Sequence, residues 1–89
     1  MNDAPEPHAA IRALAQYLRD HPRASDSAEG IRRWWLPLGL SVTSDELEKA
    51  LTWMKQQGLI DDTRGADGRV RYRRIAGDAQ LDALLREGN

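Results

Sequence analysis

At 89 residues the chain makes one domain with room for a single modest core, since a chain of this size buries a little over about 60% of its unfolded surface. Its 40% hydrophobic and 30% charged residues are those of an ordinary soluble protein, and the absence of cysteine excludes disulfides, thiol nucleophiles and cysteine metal sites. A net charge of −1 argues against a generally basic nucleic-acid binder; no apolar run approaches the roughly 18 residues of a membrane span, and the basic-then-apolar order of a signal peptide is missing, so a cytoplasmic bacterial protein with no membrane partner is expected.

Residues 1–7 are polar, hold Pro5 and Pro7, and read as a flexible N-terminal segment. From about residue 8 to residue 20, Ile11, Leu14, Ala15 and Leu18 recur at helical spacing, with Ala10 and Tyr17 beside the stripe, and predict a first helix. His21-Pro22 ends it, because the residue before proline is pushed out of the α region. Residues 23–27 form a polar connector with room for a short strand, whose place the sequence leaves open. A second helix is expected from near Asp26, whose carboxylate can cap it, through to Pro37. Gly30 inside it costs about 1 kcal/mol against alanine, so either the helix starts later or its backbone comes close to a neighbour there. Ile31, Trp34 and Trp35 make its apolar anchor. Adjacent helical residues lie about 100° apart, so both indoles cannot reach the centre of one core. Pro37 and Gly39 supply a turn, and Leu38, Leu40 and Val42 alternate up to Thr43.

Thr43 and Glu46, three apart, have the spacing of a capping box that opens a third helix. Leu47, Ala50, Leu51 and Met54 place its core stripe at i, i+3, i+4 and i+7, and Gly58 can take the left-handed conformation that stops it. Leu59 and Ile60 begin a strand at once. Ala66, Asp67 and Gly68, with Gly65 before them, give turn chemistry, so residues 59–75 read as a β-hairpin with a loop of about four residues. Alternation puts Arg69, Arg71 and Arg73 on one face of its second strand and Val70 and Tyr72 on the other. Asp78 can cap a last short helix striped by Leu81, Leu84 and Leu85, which docks on the first helix or on a second copy.

The run GLIDDTRGADGRVRYRRI, a helix ending in GLI followed directly by a Gly-Asp-Gly type hairpin, resembles the winged helix-turn-helix superfamily, in the style of the small bacterial MarR and ArsR regulators. The resemblance covers roughly residues 8–76 and leaves residues 77–89 as a C-terminal helix and tail. It implies an α+β fold: a three-helix core, a hairpin wing and a short terminal helix. It also implies that residues 26–36 form a supporting helix and residues 44–57 the recognition helix, and that the function is DNA binding in transcription regulation.

Charge placement is consistent with that function in one region and opposes it in another. Residues 64–74 hold Arg64, Arg69, Arg71, Arg73 and Arg74 against Asp67 alone, a local charge of +4, which suits contact with phosphate. The competing reading makes Arg69, Arg71 and Arg73 the solvated face of an edge strand, with Asp61 and Asp62 opposite as partners. Facing the groove, the recognition helix would offer Ser44, Lys49, Thr52, Lys55 and Gln56, but Asp45, Glu46 and Glu48 crowd its start, where base reading is concentrated. Two readings follow: double-stranded DNA held by wing arginines, or a protein-interaction module that uses the Trp34 and Trp35 edge and the mixed-charge face of the recognition helix; a homodimer would use the terminal helix. Nothing points to an enzyme, a cofactor or a metal: His8 and His21 are thirteen apart with no acid in register, and no glycine-rich phosphate loop follows a strand.

Overall fold

The computed structural model describes residues 8–37 and 39–86 of the chain; the expectations for residues 1–7, Leu38 and residues 87–89 lie outside them. It is an α+β domain of four helices and a three-stranded antiparallel sheet. Helix α1 spans His8–Asp20 and strand β1 spans Ser25–Asp26. A second helix, α2, begins as one α-helical turn at Ala28–Gly30 and continues as a π-helix at Ile31–Trp35. Helix α3 (Ser44–Gln56), strands β2 (Ile60–Arg64) and β3 (Val70–Arg74) and helix α4 (Asp78–Arg86) follow. Among the described residues no helix is long and apolar enough to cross a membrane.

The core is built from the helical stripes. Ala10, Ile11, Leu14, Ala15 and Leu18 of α1 are buried against Leu47, Ala50, Leu51 and Met54 of α3, with Ile31, Trp35, Leu59, Ile60, Ala76 and Leu81 completing the cluster. Both ends of α3 are closed by local hydrogen bonds. At its start the Glu46 amide donates to Thr43 Oγ1 (3.1 Å) and the Thr43 amide to Glu46 Oε1 (2.9 Å), so both partners of the capping box are in place. At its end Gly58 sits at φ +74°, and the amides of Gly58 and Leu59 donate to the carbonyls of Lys55 (3.0 Å) and Met54 (2.9 Å). That pair of bonds is a Schellman motif, and burial of Leu59 beside Met54 supplies its usual apolar contact.

Two expected caps differ. The N-cap of α2 is Ser27, whose Oγ accepts from the Gly30 amide (3.2 Å), while the Asp26 carboxylate accepts one residue earlier, from the Ser27 amide (2.7 Å). Gly30 stays inside the helix, and of the two explanations the close approach holds: a Cβ on Gly30 would lie 2.1 Å from Asp26 Oδ1. In α4 the N-cap position falls to Gly77, because the Asp78 carboxylate is taken by Arg74 and Arg19; the Gln80 side chain reaches back to accept from the Gly77 amide (3.0 Å). Helix α4 docks on α1, with Leu81 fully buried and Arg19 Nε 2.8 Å from Asp82 Oδ1.

Strand order in the sheet is β1-β3-β2. Ser25 pairs with Arg73 and Asp26 with Tyr72, which places the short strand that the sequence left open. β3 is therefore the central strand at Tyr72 and Arg73, and the edge-strand reading is corrected for Arg73; Arg69 and Arg71 lie beyond the reach of β1. The hairpin closes through Gly65, whose amide donates to the Arg69 carbonyl (2.8 Å), leaving three residues at the tip; Gly68, at φ +84°, donates back to the Gly65 carbonyl (2.9 Å). This is the three-residue loop in which a left-handed glycine follows a type I turn.

Candidate nucleic-acid interface

Beyond Tyr72 the hairpin is a two-stranded ribbon, because β1 reaches no further, and residues 63–69 are exposed throughout. The cross-strand pairs sort its charges. Asp61 faces Arg73 and Thr63 faces Arg71 on one side of the sheet; Ile60 faces Arg74, Asp62 faces Tyr72 and Arg64 faces Val70 on the other. Arg69 stands at the tip, its amide donating to Asp67 Oδ1 (2.9 Å) and its guanidinium 3.8 Å from the same carboxylate. Arg64, Arg71 and Arg73 are exposed and make no ion pair with any other described residue.

Arg74 does not belong with them. Its side chain is only 10% exposed, and it donates from Nε to the Ala76 carbonyl (2.6 Å), from Nη1 to the Leu18 carbonyl near the end of α1 (3.0 Å), and from Nη2 to the Asp78 carboxylate. The hydrogen bond from Arg74, helped by the charge of Arg19, holds the Asp78 carboxyl below its ordinary range. On the other flank of this network the Asp82 hydrogen bond keeps Arg19 firmly charged. A guanidinium spent on two carbonyls and a carboxylate is a fastening between β3, α1 and α4, so Arg74 is withdrawn from the phosphate-contacting set.

Lys55 is also diverted. Its Nζ lies 2.9 Å from Asp62 Oδ1, and their hydrogen bond raises the lysine pKa and lowers that of the aspartate. Half-exposed pairs of this kind add little stability, but this one spans from α3 to the hairpin. It shows which sheet face looks toward α3: the one carrying Asp62 and Arg64. Arg71 and Arg73 lie on the face turned away. Asp62 therefore does not partner the outward arginines, and Asp61 alone shares their side.

The outward face of α3 is a shallow concavity lined by Asp45, Glu48, Lys49, Thr52, Trp53 and Gln56, so three of the expected groove-facing residues do meet there. Ser44 lies instead in the cleft toward α2, beside Glu29, Arg32 and Glu48. Glu46 is occupied by its capping box. Asp45 and Glu48 remain exposed without an ion pair among the described residues, so the first two turns of this face are negative. Sequence reading missed Arg32, which is brought beside Ser44 and donates to the Val42 carbonyl (3.5 Å); its neighbours in the chain, the tryptophans, gave no hint of that cleft. The tryptophans themselves part: Trp35 is buried and stacks on Tyr17 (4.9 Å, 12°), while Trp34 is 69% exposed.

No protein-family model and no curated protein matches the chain.

Proposed function

We propose that this chain is a winged-helix DNA-binding domain, a small bacterial transcriptional regulator in which the hairpin leads the contact. The observation that carries the reading is the ribbon itself: Arg64 on one face, Arg71 and Arg73 on the other and Arg69 at the tip, three of them without an ion pair among the described residues. Support for the winged-helix assignment comes from the element order and from a central β3 flanked by β1 and β2. A groove has phosphate along both walls, and the major groove is wide enough for a two-stranded ribbon. Entering tip first, this ribbon turns a cation to each wall. The acidic start of α3 stays outside, where Lys49, Thr52 and Gln56 can approach the flanking backbone.

Four phosphate contacts give a salt slope of about 3.6, or an affinity loss of about 150-fold between about 50 mM and about 200 mM salt. Arg71→Ala and Arg73→Ala each lower that slope by about 0.9, with the fold unchanged. The first measurement is an amide NMR titration with mixed-sequence duplex DNA at the lower salt. Shifts centred on residues 63–73 are expected; none there sinks the proposal. A second reading, a protein-interaction module without DNA binding, draws on Asp45 and Glu48, which have no ion pair among the described residues and repel phosphate. Its signature is association that responds little to salt.

A further inference from the structure

Trp34 and Trp35 are adjacent and have opposite surroundings. Trp35 is 6% exposed within the core, whereas Trp34 has no ring partner among the described residues. The backbone between them and Gly30 is a π-helix, a rare conformation that recurs at functional sites. Within it Ile31 and Trp35 both face the core and Trp34 faces out. Trp34 forms one wall of an open, mainly apolar groove between α1 and the end of α2, whose lining also includes Ala13, Tyr17, Trp35, Leu36 and Pro37. A large indole left in water next to a vacant apolar groove is the arrangement of an interface anchor and its pocket.

Charge indicates what fills it. Asp20 lines the same groove on the α1 side; it accepts from the Gln16 amide (3.3 Å to each oxygen) and makes no ion pair with a described residue. Arg33, next to Trp34 on α2, is held among the described residues only by Glu29, 3.4 Å away in an exposed i,i+4 pair, the weakest class of ion pair. The knob thus carries a cation and the groove a carboxylate, so the surface is complementary to a copy of itself. The geometry points to a two-fold homodimer in which Trp34 of each copy fills the groove of the other, and Arg33 of each faces Asp20 of the other. Every contact is then made twice, as an isologous interface requires. This inference is independent of DNA binding by the hairpin.

Sedimentation of the full chain from about 1 μM to about 1 mM tests it, a range that brackets weak and moderate dimers. A monomer-to-dimer rise is expected, and Trp34→Ala should weaken association at least about thirtyfold, the effect of losing an interface anchor. Trp34 is exposed, so the amide spectrum of the variant should remain that of the folded chain. Asp20→Arg and Arg33→Asp should each weaken the dimer alone, and an equimolar mixture of the two variants should associate again, because the mixture restores both opposite-charge pairs. A chain that stays monomeric throughout overturns the inference and leaves the groove to a foreign partner. A dimer indifferent to Trp34→Ala, or a mixture that fails to associate, overturns it too.

Discussion

Arg73 and Arg74 are neighbours on one strand, and the pleat gives them different tasks. Arg73 points to the outer face of the sheet, opposite Asp61, and is exposed. Arg74 points inward and reaches the Leu18 carbonyl, 56 residues away in the chain. The same contrast holds for the two ends of the hairpin. At its base the charges are fastened to one another: Arg74 to Asp78, and Arg19 to Asp78 and Asp82, across α1, β3 and α4. Toward its tip the cations stand in water: Arg64 and Arg71 have no ion pair among the described residues, and Arg69 has only an exposed contact with Asp67 at 3.8 Å. A run of arginines in a sequence is therefore two populations, and only the one that the fold leaves unsatisfied is available to a ligand.

The sharpest way to break that comparison is to truncate the two neighbours separately. Arg74→Ala removes three donors and leaves two carbonyls and a carboxylate short of a partner, which costs about 3 kcal/mol and lowers Tm by about 12 °C or more. Arg73→Ala should cost no more than about 0.5 kcal/mol. Arg74→Lys keeps the charge but not the planar fork, and belongs between them. Thermal unfolding of the three variants decides it: equal effects at positions 73 and 74 would mean that the inward network is not a fastening.

Much of this was open to reading from the chain, and what was hidden shares a cause. The stripes of α1 and α3, the Thr43–Glu46 box and the Gly58 stop are all written within a few residues of where they act, and local spacing is what a sequence displays. β1 has two residues and no pattern of its own; it exists because Ser25 and Asp26 find β3. Arg74 stands on the face of Val70 and Tyr72, but a charged residue does not announce that its partners are a distant carbonyl and a helix start. The Lys55–Asp62 bridge is hidden for the same reason, since local pattern places the lysine on a helix face and the aspartate opposite arginines, and neither spacing relates the two. The π-turn is another case. Its sequence reads as an ordinary helix, and the outward position of Trp34 follows from packing Trp35 on Tyr17.

The open end can be probed at its turn. Gly68 holds φ +84°, and a Cβ there would meet nothing within 4 Å, so Gly68→Ala adds backbone strain without a clash. The expected cost is about 1 kcal/mol, and Gly68→Asn should recover part of it, because asparagine tolerates the left-handed region better. Denaturant unfolding of the pair measures this. A Gly68→Ala chain as stable as the parent would show that the tip is not the turn described here, and the placing of Arg64 and Arg69 on either side of it would go with it.

The smallest effect tests the contact that relates the two regions. Asp62 titrates below the ordinary carboxylate value of about 3.9 because Lys55 donates to it. With the folded pKa depressed, the unfolded chain takes up the proton first as pH falls. The stabilisation is therefore complete above about pH 4 and is lost as pH drops through the folded value. Lys55 works in the opposite sense: its folded pKa is raised, so its share is complete below about pH 10.4 and is lost at more alkaline pH. In Lys55→Met the Asp62 titration, followed by carboxyl-carbon NMR, should move up toward the ordinary range. Asp78, held down by Arg74 and Arg19, should stay where it is. If Asp62 does not move, the bridge is not formed in solution, and burial of Ile60 and Tyr72 at the base is then what turns the Asp62 and Arg64 face of the ribbon toward α3. Beyond that base the arginines would be free of the helix, and DNA contact, if it survived, would belong to the hairpin alone.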